Sequence, residues 1–251
     1  GYGSLGGFWT LAEVKTELDL IVANDTRNLV ADKLDTLGYS LQGRPIWGLR
    51  IGKQVTGPDT RPVVLYSALT HAREPEGMQV LLYFIEDLLA NYDTDPVAHY
   101  LLEQRQIVIC PVVNPDGYRF NQQIHDTTST HTFGMWRKNL RDNNNDHKTN
   151  SGTTDGVDIN RNYGYKWGYD NIGSSGTYSS DTYRGPSAFS EPETQVQRNL
   201  VVQVKPIVGI SFHTYSDLFV HPWGWTTVGT PDSAKFQEWS DEMTLPNGFT
   251  A

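Results

Sequence analysis

Two apolar runs that each end at a histidine constrain the fold of this chain most. Residues 63–69 (VVLYSAL) precede His71, with Glu74 three positions further on, and residues 207–212 (IVGISF) precede His213. Such continuous apolar runs are typical of buried strands in a parallel sheet. Ligands of open α/β sheets bind at the carboxyl ends of strands, so we expect the three side chains to meet at one edge. Two histidines and a glutamate with one open position form a catalytic zinc pattern, which predicts one zinc ion here.

Capping residues and apolar spacing predict helices that alternate with strands. Thr10 with Glu13, and Ser190 with Glu193, read as capping boxes at helix starts. Strands are expected at 106–113, closed by a turn at 114–117, and at 29–37 and 44–51 as an edge hairpin, with 219–225 also extended. The predicted helices cover 11–23, 77–92, 96–104, the segment from Ser190 to Lys205, and 232–245. The predicted fold is α/β, with a mixed, mainly parallel twisted sheet and helices on both faces in a single domain.

Residues 121–190 are polar and rich in glycine, without a clear helical or strand period. Disorder is one interpretation of such a stretch. An ordered set of loops that builds a site is the other, and the many tyrosines and tryptophans favour it because disordered segments carry few aromatic residues.

The charge and the single cysteine exclude several classes of protein. The 251 residues contain 20 basic and 29 acidic side chains, for a net charge of −9, which argues against nucleic acid or an anionic membrane as partner. Cys110 lies in an apolar strand and is predicted to be a buried hydrophobic residue rather than a nucleophile. Residues 1–7 have neither the charged start nor the apolar core of a signal peptide, so the chain is either not exported or already processed.

Six motifs appear in an order that resembles one enzyme family. The chain is similar to the zinc carboxypeptidases of the funnelin (carboxypeptidase A-like) type, and most of all to their bacterial secreted, carboxypeptidase T-like branch. The resemblance implies a secreted metalloprotease, made with a leader and a pro-segment, that hydrolyses the C-terminal peptide bond of peptides and proteins with a free C-terminus. The motifs are residues 71–74 (HARE), 114–117 (NPDG), 135–139 (MWRKN), 156–162 (GVDINRN), 183–186 (YRGP) and 211–216 (SFHTYS).

The resemblance also implies roles for residues around the metal. His71, Glu74 and His213 match the ligands, and Asp158 matches the carboxylate that holds the other ring nitrogen of the first histidine. Arg137 matches the residue that polarises the scissile carbonyl and stabilises the oxyanion.

Four further residues match substrate-binding positions of the family. Asn160 and Arg161 correspond to the pair that grips the terminal carboxylate, for which a planar guanidinium is well suited. Arg73 would hold the substrate further out, and Tyr215 would line a subsite. A solvated surface arginine is the alternative for each arginine, and core packing is the alternative for Tyr215.

The general base of the family is a glutamate that lies further beyond His213 than this sequence extends, as does its mobile tyrosine. Glu238 and Glu242 precede that place, so neither is assigned the role. We therefore expect residues 1–251 to be a carboxypeptidase catalytic domain that lacks its C-terminal part, inactive as given, with a pro-segment or a complementing C-terminal fragment as a candidate partner.

Two other functions and a second metal remain open. The site could belong to a non-hydrolytic zinc protein that binds carboxylates or peptides, or to an amidohydrolase acting on cell-wall peptides or acylated amino acids. Residues 142–146 (DNNND) alternate oxygen ligands as calcium loops do, but they lack the glycine and closing glutamate of an EF-hand. Structural calcium is therefore a second candidate cofactor beside zinc.

Overall fold

The computed structural model describes residues 3–148 and 154–251. Their elements are six α-helices, five strands and one short 3-10 helix. In chain order these are α1 Leu11–Asn24, β1 Asp35–Tyr39, β2 Pro45–Ile51, β3 Val63–Ser67, α2 Glu76–Ala90, α3 Pro96–Gln104, β4 Gln106–Cys110, α4 Pro115–Thr127, the 3-10 helix Ile159–Arg161, α5 Pro192–Val204, β5 Val208–Ser211 and α6 Ser233–Thr244.

The five strands form one mixed sheet in the order β1-β2-β4-β3-β5. β3 runs parallel to both β4 and β5, whereas β2 is antiparallel to β1 and β4, so four of the five strands point the same way. Ser67 at the end of β3 pairs with Ser211 at the end of β5. The predicted sheet is confirmed, and the segments carrying His71 and His213 leave it at the same edge.

Helices cover both faces of this sheet, as predicted. One hydrophobic core lies between the sheet and helices α1 to α4, and Leu18, Met78 and Tyr118 are fully buried in it. A smaller core on the other face joins β3 and β4 to Val196 and Leu200 of α5. The central strands are buried on both sides, which explains why β4 reads as a continuous apolar run.

Four helices lie where the sequence predicts them, to within a few residues. The capping box of α1 is formed, because the Glu13 amide donates to Thr10 Oγ1 over 3.2 Å and the Thr10 amide donates back to Glu13 Oε2 over 2.7 Å. α3 begins after Asp95, whose carboxylate accepts from the Val97 amide over 2.8 Å. Helices α2 and α6 also match.

The predicted strand boundaries were partly wrong. The run at 29–37 becomes a strand only from Asp35, because the Asp25 carboxylate accepts the amides of Leu29 and Val30 over 2.7 and 2.8 Å, which removes those donors from a ladder. The hairpin of β1 and β2 at the sheet edge is confirmed. β4 ends at Cys110 rather than at 113, and residues 219–225 form no strand but a loop with bends at 222, 224 and 225.

Two predictions about helix starts were also wrong. The Asn114–Gly117 segment does not close a turn but begins α4, with the Asn114 carboxamide accepting from the Gly117 amide over 3.0 Å and Pro115 in the first helical turn. α5 begins after Glu191, and no capping box forms at Ser190. The hydroxyl of Ser190 bonds to Glu191, and the Glu193 carboxylate accepts from the distant Leu41 amide.

The long polar region begins with the last turns of α4 and continues as ordered loops that include the 3-10 helix. Asn162 links these loops, since its amide donates to the carbonyls of Arg184 and Ser187 over 2.8 and 2.9 Å and its oxygen accepts from the Thr194 hydroxyl over 2.8 Å. The site-building interpretation is therefore favoured over disorder for the described part, and residues 149–153 lie outside it. Within the described ranges, no helix is long and apolar enough to cross a membrane.

Candidate metal centre

The segment after β3 brings His71 and Glu74 to one side of the chain. It stays beside the sheet because the Ala68 amide donates to the Cys110 carbonyl over 3.1 Å. Leu69 adopts a positive φ of 53°, which bends the chain away from the strand direction. A turn closed by the Glu74 amide and the His71 carbonyl, 3.1 Å apart, then places both side chains together.

Three side chains converge on one small volume at this edge. Nδ1 of His71 lies 2.9 Å from Glu74 Oε1, Nδ1 of His213 lies 3.0 Å from Glu74 Oε2, and the two Nδ1 atoms are 3.1 Å apart. Ligands placed about 2.0–2.1 Å from a zinc ion at tetrahedral angles are about 3.3 Å from one another. The donor set and its spacing therefore fit zinc, and among the described residues this is the cluster able to hold a metal ion.

The charges of the cluster suit a cation. Burial opposes ionisation of Glu74, but its hydrogen bonds with His213 and His71 lower the pKa of the carboxyl to about 2. Burial also disfavours charge on His71, yet hydrogen bonds to Asp158 and Glu74 raise the pKa of its imidazole above the ordinary value. A buried carboxylate that is always ionised, facing two ring nitrogens, is thus ready to bind a cation.

Asp158 lies behind the ring of His71. Its Oδ1 is 3.2 Å from His71 Nε2, a contact that would keep the proton on this ring nitrogen and leave Nδ1 for a metal. Its Oδ2 accepts from Nε and Nη2 of Arg137 over 3.2 and 3.0 Å. Burial opposes ionisation of Asp158, but His71 and Arg137 together hold the pKa of its carboxyl below the usual range.

Arg137 also lies 3.5 Å from Glu74 Oε1, so the structure places this guanidinium directly beside the ligand cluster. Sequence reasoning missed two contacts on the opposite side. Ser211 Oγ lies 3.3 Å from Nε2 of His213, and the Thr214 amide donates to Glu74 Oε2 over 3.2 Å. Ser211 is the last residue of β5 and lies two residues before His213. This spacing could have predicted the contact of its hydroxyl with His213.

Two glycines allow the close packing that assembles the cluster. A Cβ on Gly77, in the first turn of α2, would lie 2.7 Å from Phe212 Cβ, so only glycine lets this helix approach the segment that carries His213. A Cβ on Gly117 of α4 would lie 2.6 Å from the Lys138 carbonyl oxygen and 2.7 Å from Ala72 Cβ. Because glycine has no side chain, α2 can pack closely against the segment of His213, and α4 can pack closely against the segments of His71 and Arg137.

The candidate carboxylate-gripping pair lies on the 3-10 helix next to Asp158. The Asn160 amide donates to Asp158 Oδ1 over 2.9 Å. Arg161 donates from Nε to the Gly173 carbonyl over 2.7 Å and from Nη1 to the Asn160 carbonyl over 3.1 Å. The charge of Arg161 lowers the pKa of Asp158, but its hydrogen bonds go to loop carbonyls rather than to the three candidate ligands.

Arg73 and Tyr215, the two outer substrate-binding candidates, have fewer contacts with the rest of the site. Arg73 pairs with Asp181 at 3.5 Å and is partly exposed. Tyr215 is 95% exposed, so the alternative of core packing is wrong for the described chain.

Lys138, next to Arg137, is a second residue that sequence reasoning missed. It is 3% exposed, and its Nζ donates to the carbonyls of Tyr178 and Ser180 over 3.0 and 3.3 Å. Burial lowers the pKa of this ammonium. Lys138 thereby ties the Arg137 segment to the loop that also carries Asp181.

In the candidate calcium loop some side chains bond locally, whereas the Asn143 carboxamide donates outside the loop, to the carbonyls of Thr154 and Gly156 over 3.1 and 3.0 Å. Asp142 Oδ2 accepts from the His147 amide over 2.9 Å, and Asn144 Oδ1 accepts from the Asp146 amide over 3.0 Å. These local contacts organise the turn.

Comparison with known proteins agrees with this geometry. Residues 23–247 match the zinc carboxypeptidase family. A zinc carboxypeptidase of Saccharothrix mutabilis subsp. capreolus is 34% identical over 243 residues, which cover 95% of this chain and 52% of that protein. Carboxypeptidase A2 of Mus musculus is 31% identical over 236 residues, covering 94% of this chain and 51% of its own length. The chain thus spans about half the length of these relatives.

A solved structure shares the fold. The crystal structure of carboxypeptidase A from Helicoverpa armigera superimposes with a TM-score of 0.77 at 29% identity and covers 96% of this chain and 54% of its own. The family match extends over both metal-binding segments, and the solved structure over nearly the whole chain. The chain belongs to the zinc carboxypeptidase family.

Proposed function

We propose that this chain forms the zinc-binding half of a metallocarboxypeptidase, a hydrolase that removes residues from the free C-terminus of peptides and proteins. The observation that carries the proposal is the convergence of His71, Glu74 and His213, whose ligand atoms lie within 4.8 Å of one another beside Arg137. Membership of the zinc carboxypeptidase family supports zinc as the metal.

Each residue of the centre has a distinct part in this proposal. Glu74 supplies the negative charge that offsets the cation, and His71 and His213 offer neutral nitrogens. Asp158 holds the ring of His71 and the guanidinium of Arg137 in place. A zinc ion bound there would supply Lewis-acid chemistry, polarising a peptide carbonyl and making water more acidic.

Arg137 and Arg161 are proposed to bind the substrate. Arg137 would donate N–H groups to the scissile carbonyl as negative charge develops on its oxygen. Arg161 would bind the terminal carboxylate, with Asn160 beside it, and Arg73 and Tyr215 would contact the peptide further from the cleaved bond. Charge-assisted bonds of this kind contribute roughly 1.5–3 kcal/mol each, enough to favour a chain end over an internal peptide bond.

Elemental analysis of the purified protein tests the metal site. We expect about one zinc per chain, and a large loss of zinc in the variant His213→Ala. His131→Ala, which removes an exposed histidine elsewhere, is the matched control. An unchanged zinc content in His213→Ala would overturn the ligand assignment.

Arg161 is tested by comparing peptides with free and amidated C-termini. In a longer chain that also supplies the general base, the variant Arg161→Ala should lose its preference for free ends while keeping its zinc. Equal losses of activity on both kinds of peptide would contradict the carboxylate-binding role.

We further propose that no described carboxylate is the general base. Asp158 is occupied by His71 and Arg137, and Glu238 pairs with Lys235 over 2.8 Å on the exposed face of α6. A positioned base typically contributes 10²–10⁴-fold, so turnover by residues 1–251 should be very slow. Fast turnover that is abolished by Glu238→Gln or Glu242→Gln would contradict this.

Two rival functions are tested by substrate choice. An amidohydrolase would prefer cell-wall peptides or acylated amino acids over ordinary peptides with the same last residue. A carboxylate-binding protein without activity would bind free-ended peptides and hydrolyse none, even when a longer chain supplies a base. The family match favours the carboxypeptidase.

Location, partners and calcium also stay proposals. An extracellular protein that meets its substrate after release of a pro-segment fits the secreted branch that the motifs resemble, and a complementing C-terminal fragment is a candidate partner. Calcium in the Asp142–Asp146 loop stays a prediction, which a melting temperature raised by added calcium would support.

A further inference from the structure

The loop of residues 173–183 contacts both arginines that are proposed to hold the two ends of the bound substrate segment. At the start of the loop, the Gly173 carbonyl accepts from Nε of Arg161 over 2.7 Å. Near its end, Oδ2 of Asp181 lies 3.5 Å from Nη1 of Arg73. This loop therefore extends from the proposed site of the terminal carboxylate to the outer part of the substrate site.

The part of the loop that carries Asp181 is fixed to the segment of Arg137. Lys138, the next residue, donates from Nζ to the carbonyls of Tyr178 and Ser180 over 3.0 and 3.3 Å. Burial lowers the pKa of the Lys138 ammonium, and the negative charge of Asp181 opposes this shift. The carboxylate of Asp181 is therefore held near the residues that are proposed to bind the substrate.

Arg73 and Asp181 form an exposed and loosely held ion pair. The side chain of Arg73 is 32% exposed and that of Asp181 is 67% exposed. Their separation of 3.5 Å is longer than the roughly 2.7–2.9 Å of a charge-assisted hydrogen bond. Exposed pairs of this kind contribute little, because water solvates both charges. Either side chain can therefore interact with a charge on a ligand at small cost.

The two charges of the pair have opposite effects on a charged ligand. A cation that approaches the more exposed Asp181 is attracted by its carboxylate. An anion that approaches Arg73 is repelled by the same carboxylate, which lies beside the guanidinium. If Asp181 were neutral, the charge of Arg73 would be unopposed and would favour the anion. The sign of the preference therefore depends on Asp181.

We propose that Asp181 determines the charge preference for the substrate residues on the N-terminal side of the cleaved bond. The inference rests on the proposed carboxypeptidase function, in which Arg161 binds the free C-terminus and Arg73 lies further from the cleaved bond. Peptides with lysine or arginine before their last residue bind best, because these side chains pair with Asp181. Peptides with glutamate or aspartate there bind more weakly.

Binding of matched peptides to the 251-residue protein loaded with zinc tests the inference. The peptides carry a dye at the N-terminus and have the sequences Ala-Lys-Lys-X and Ala-Glu-Glu-X, where X is Phe, Leu or Ala. Fluorescence anisotropy gives their dissociation constants. The net charge of −9 attracts lysine peptides to the whole surface, so the ratio of the affinities for the lysine and glutamate peptides is compared between variants.

The variant Asp181→Asn should lower this ratio at least about threefold, and Arg73→Gln should raise it by a similar factor, since each removes one of two opposed charges. High salt should reduce both effects. Asp126→Asn is the matched control, because it changes the net charge equally and removes another exposed Arg–Asp pair, of 3.6 Å with Arg119. It should leave the ratio unchanged. Zinc content and a thermal melt show that each variant keeps its site and fold.

Amidated versions of the peptides separate this inference from the proposed function. Free-ended peptides that bind more tightly than amidated ones support the proposed function. If they do so while Asp181→Asn leaves the ratio unchanged, or shifts it no more than Asp126→Asn does, only the role of Asp181 is overturned. The absence of saturable binding by any peptide would overturn both.

Discussion

Asp158 joins the metal centre to the arginine proposed to act on the substrate. It is fully buried and accepts hydrogen bonds from His71, from two nitrogens of Arg137 and from the Asn160 amide. One carboxylate therefore contacts both the ring of a proposed ligand and the guanidinium of Arg137. An uncharged amide at this position could still accept the hydrogen bond from His71. A change of Asp158 to asparagine therefore tests its negative charge separately from its shape.

We expect the variant Asp158→Asn to bind zinc roughly 10–100-fold more weakly, because the partner that orients His71 loses its charge. Competition with a chromophoric chelator measures the affinity. Ser211→Ala is the matched comparison, since its 3.3 Å contact to His213 is long and exposed, and it should have a smaller effect. Equal losses in the two variants would show that Asp158 has no special part.

At the level of the elements, α4 supports both segments that build the centre. The Asn114 side chain donates to the Lys138 carbonyl over 3.1 Å, and that of Asn121 donates to the carbonyls of Ala72 and Trp136, both over 2.9 Å. Backbone groups next to His71 and Arg137 thus depend on this helix. The close contact at Gly117 sets how near the helix can come.

Gly117→Ala should lower the free energy of unfolding by roughly 1–3 kcal/mol, because the added methyl meets backbone and Cβ atoms that cannot turn aside. Zinc affinity should fall with it, since Ala72 is displaced. Urea unfolding measures the first effect, and chelator competition the second. Gly224→Ala, where an added Cβ meets no atom within 4 Å, is the control. Similar results for both variants would contradict the packing argument.

Helix α4 also shows what sequence reasoning could and could not provide. Asn114 and Pro115 are equally common in turns and at helix starts. The hydrogen bonds from the Asn114 side chain to the carbonyls of Thr70 and Lys138 favour the helix start, and these distant partners cannot be read from the local sequence. Likewise, Ser190 and Glu193 have the spacing of a capping box, but the Glu193 carboxylate accepts a hydrogen bond from the Leu41 amide, which is distant in sequence. Periodicity and strand ends were enough to predict that His71, Glu74 and His213 meet at one end of the sheet, because this depends on the order of elements. The prediction that they bind zinc rested on the six motifs as well.

Across the whole molecule, one buried carboxyl group links stability to pH. Glu193 is fully buried, and burial, together with the charge of Glu191, raises the pKa of its carboxyl to about 7. It accepts hydrogen bonds from the Leu41 amide and from Asn139, which also donates to Glu191, and Glu191 in turn binds Arg141. The fold therefore prefers Glu193 protonated.

Since the pKa of Glu193 is higher in the folded than in the unfolded state, its contribution to stability is complete below about pH 4.5 and is lost as pH rises towards 7. We expect Glu193→Gln to reduce the loss of unfolding free energy between pH 5 and pH 7, by up to about 3 kcal/mol. Denaturant unfolding at several pH values measures this. The exposed Glu242→Gln is the control, and an unchanged pH dependence in Glu193→Gln would contradict the prediction.

His71 and His213 are 142 positions apart in the sequence, and this separation also sets the order in which they are synthesised. Ribosomes add about 5–20 residues per second, so the last ligand follows the first by roughly 7–30 s during synthesis. Until β5 emerges and pairs with β3, a nascent chain has only two of the three proposed zinc ligands, His71 and Glu74, and two ligands would hold the ion weakly. Firm capture of the metal must therefore wait for the outer strand of this sheet, and zinc retained on ribosome-bound intermediates of increasing length would mark the moment when the sheet closes.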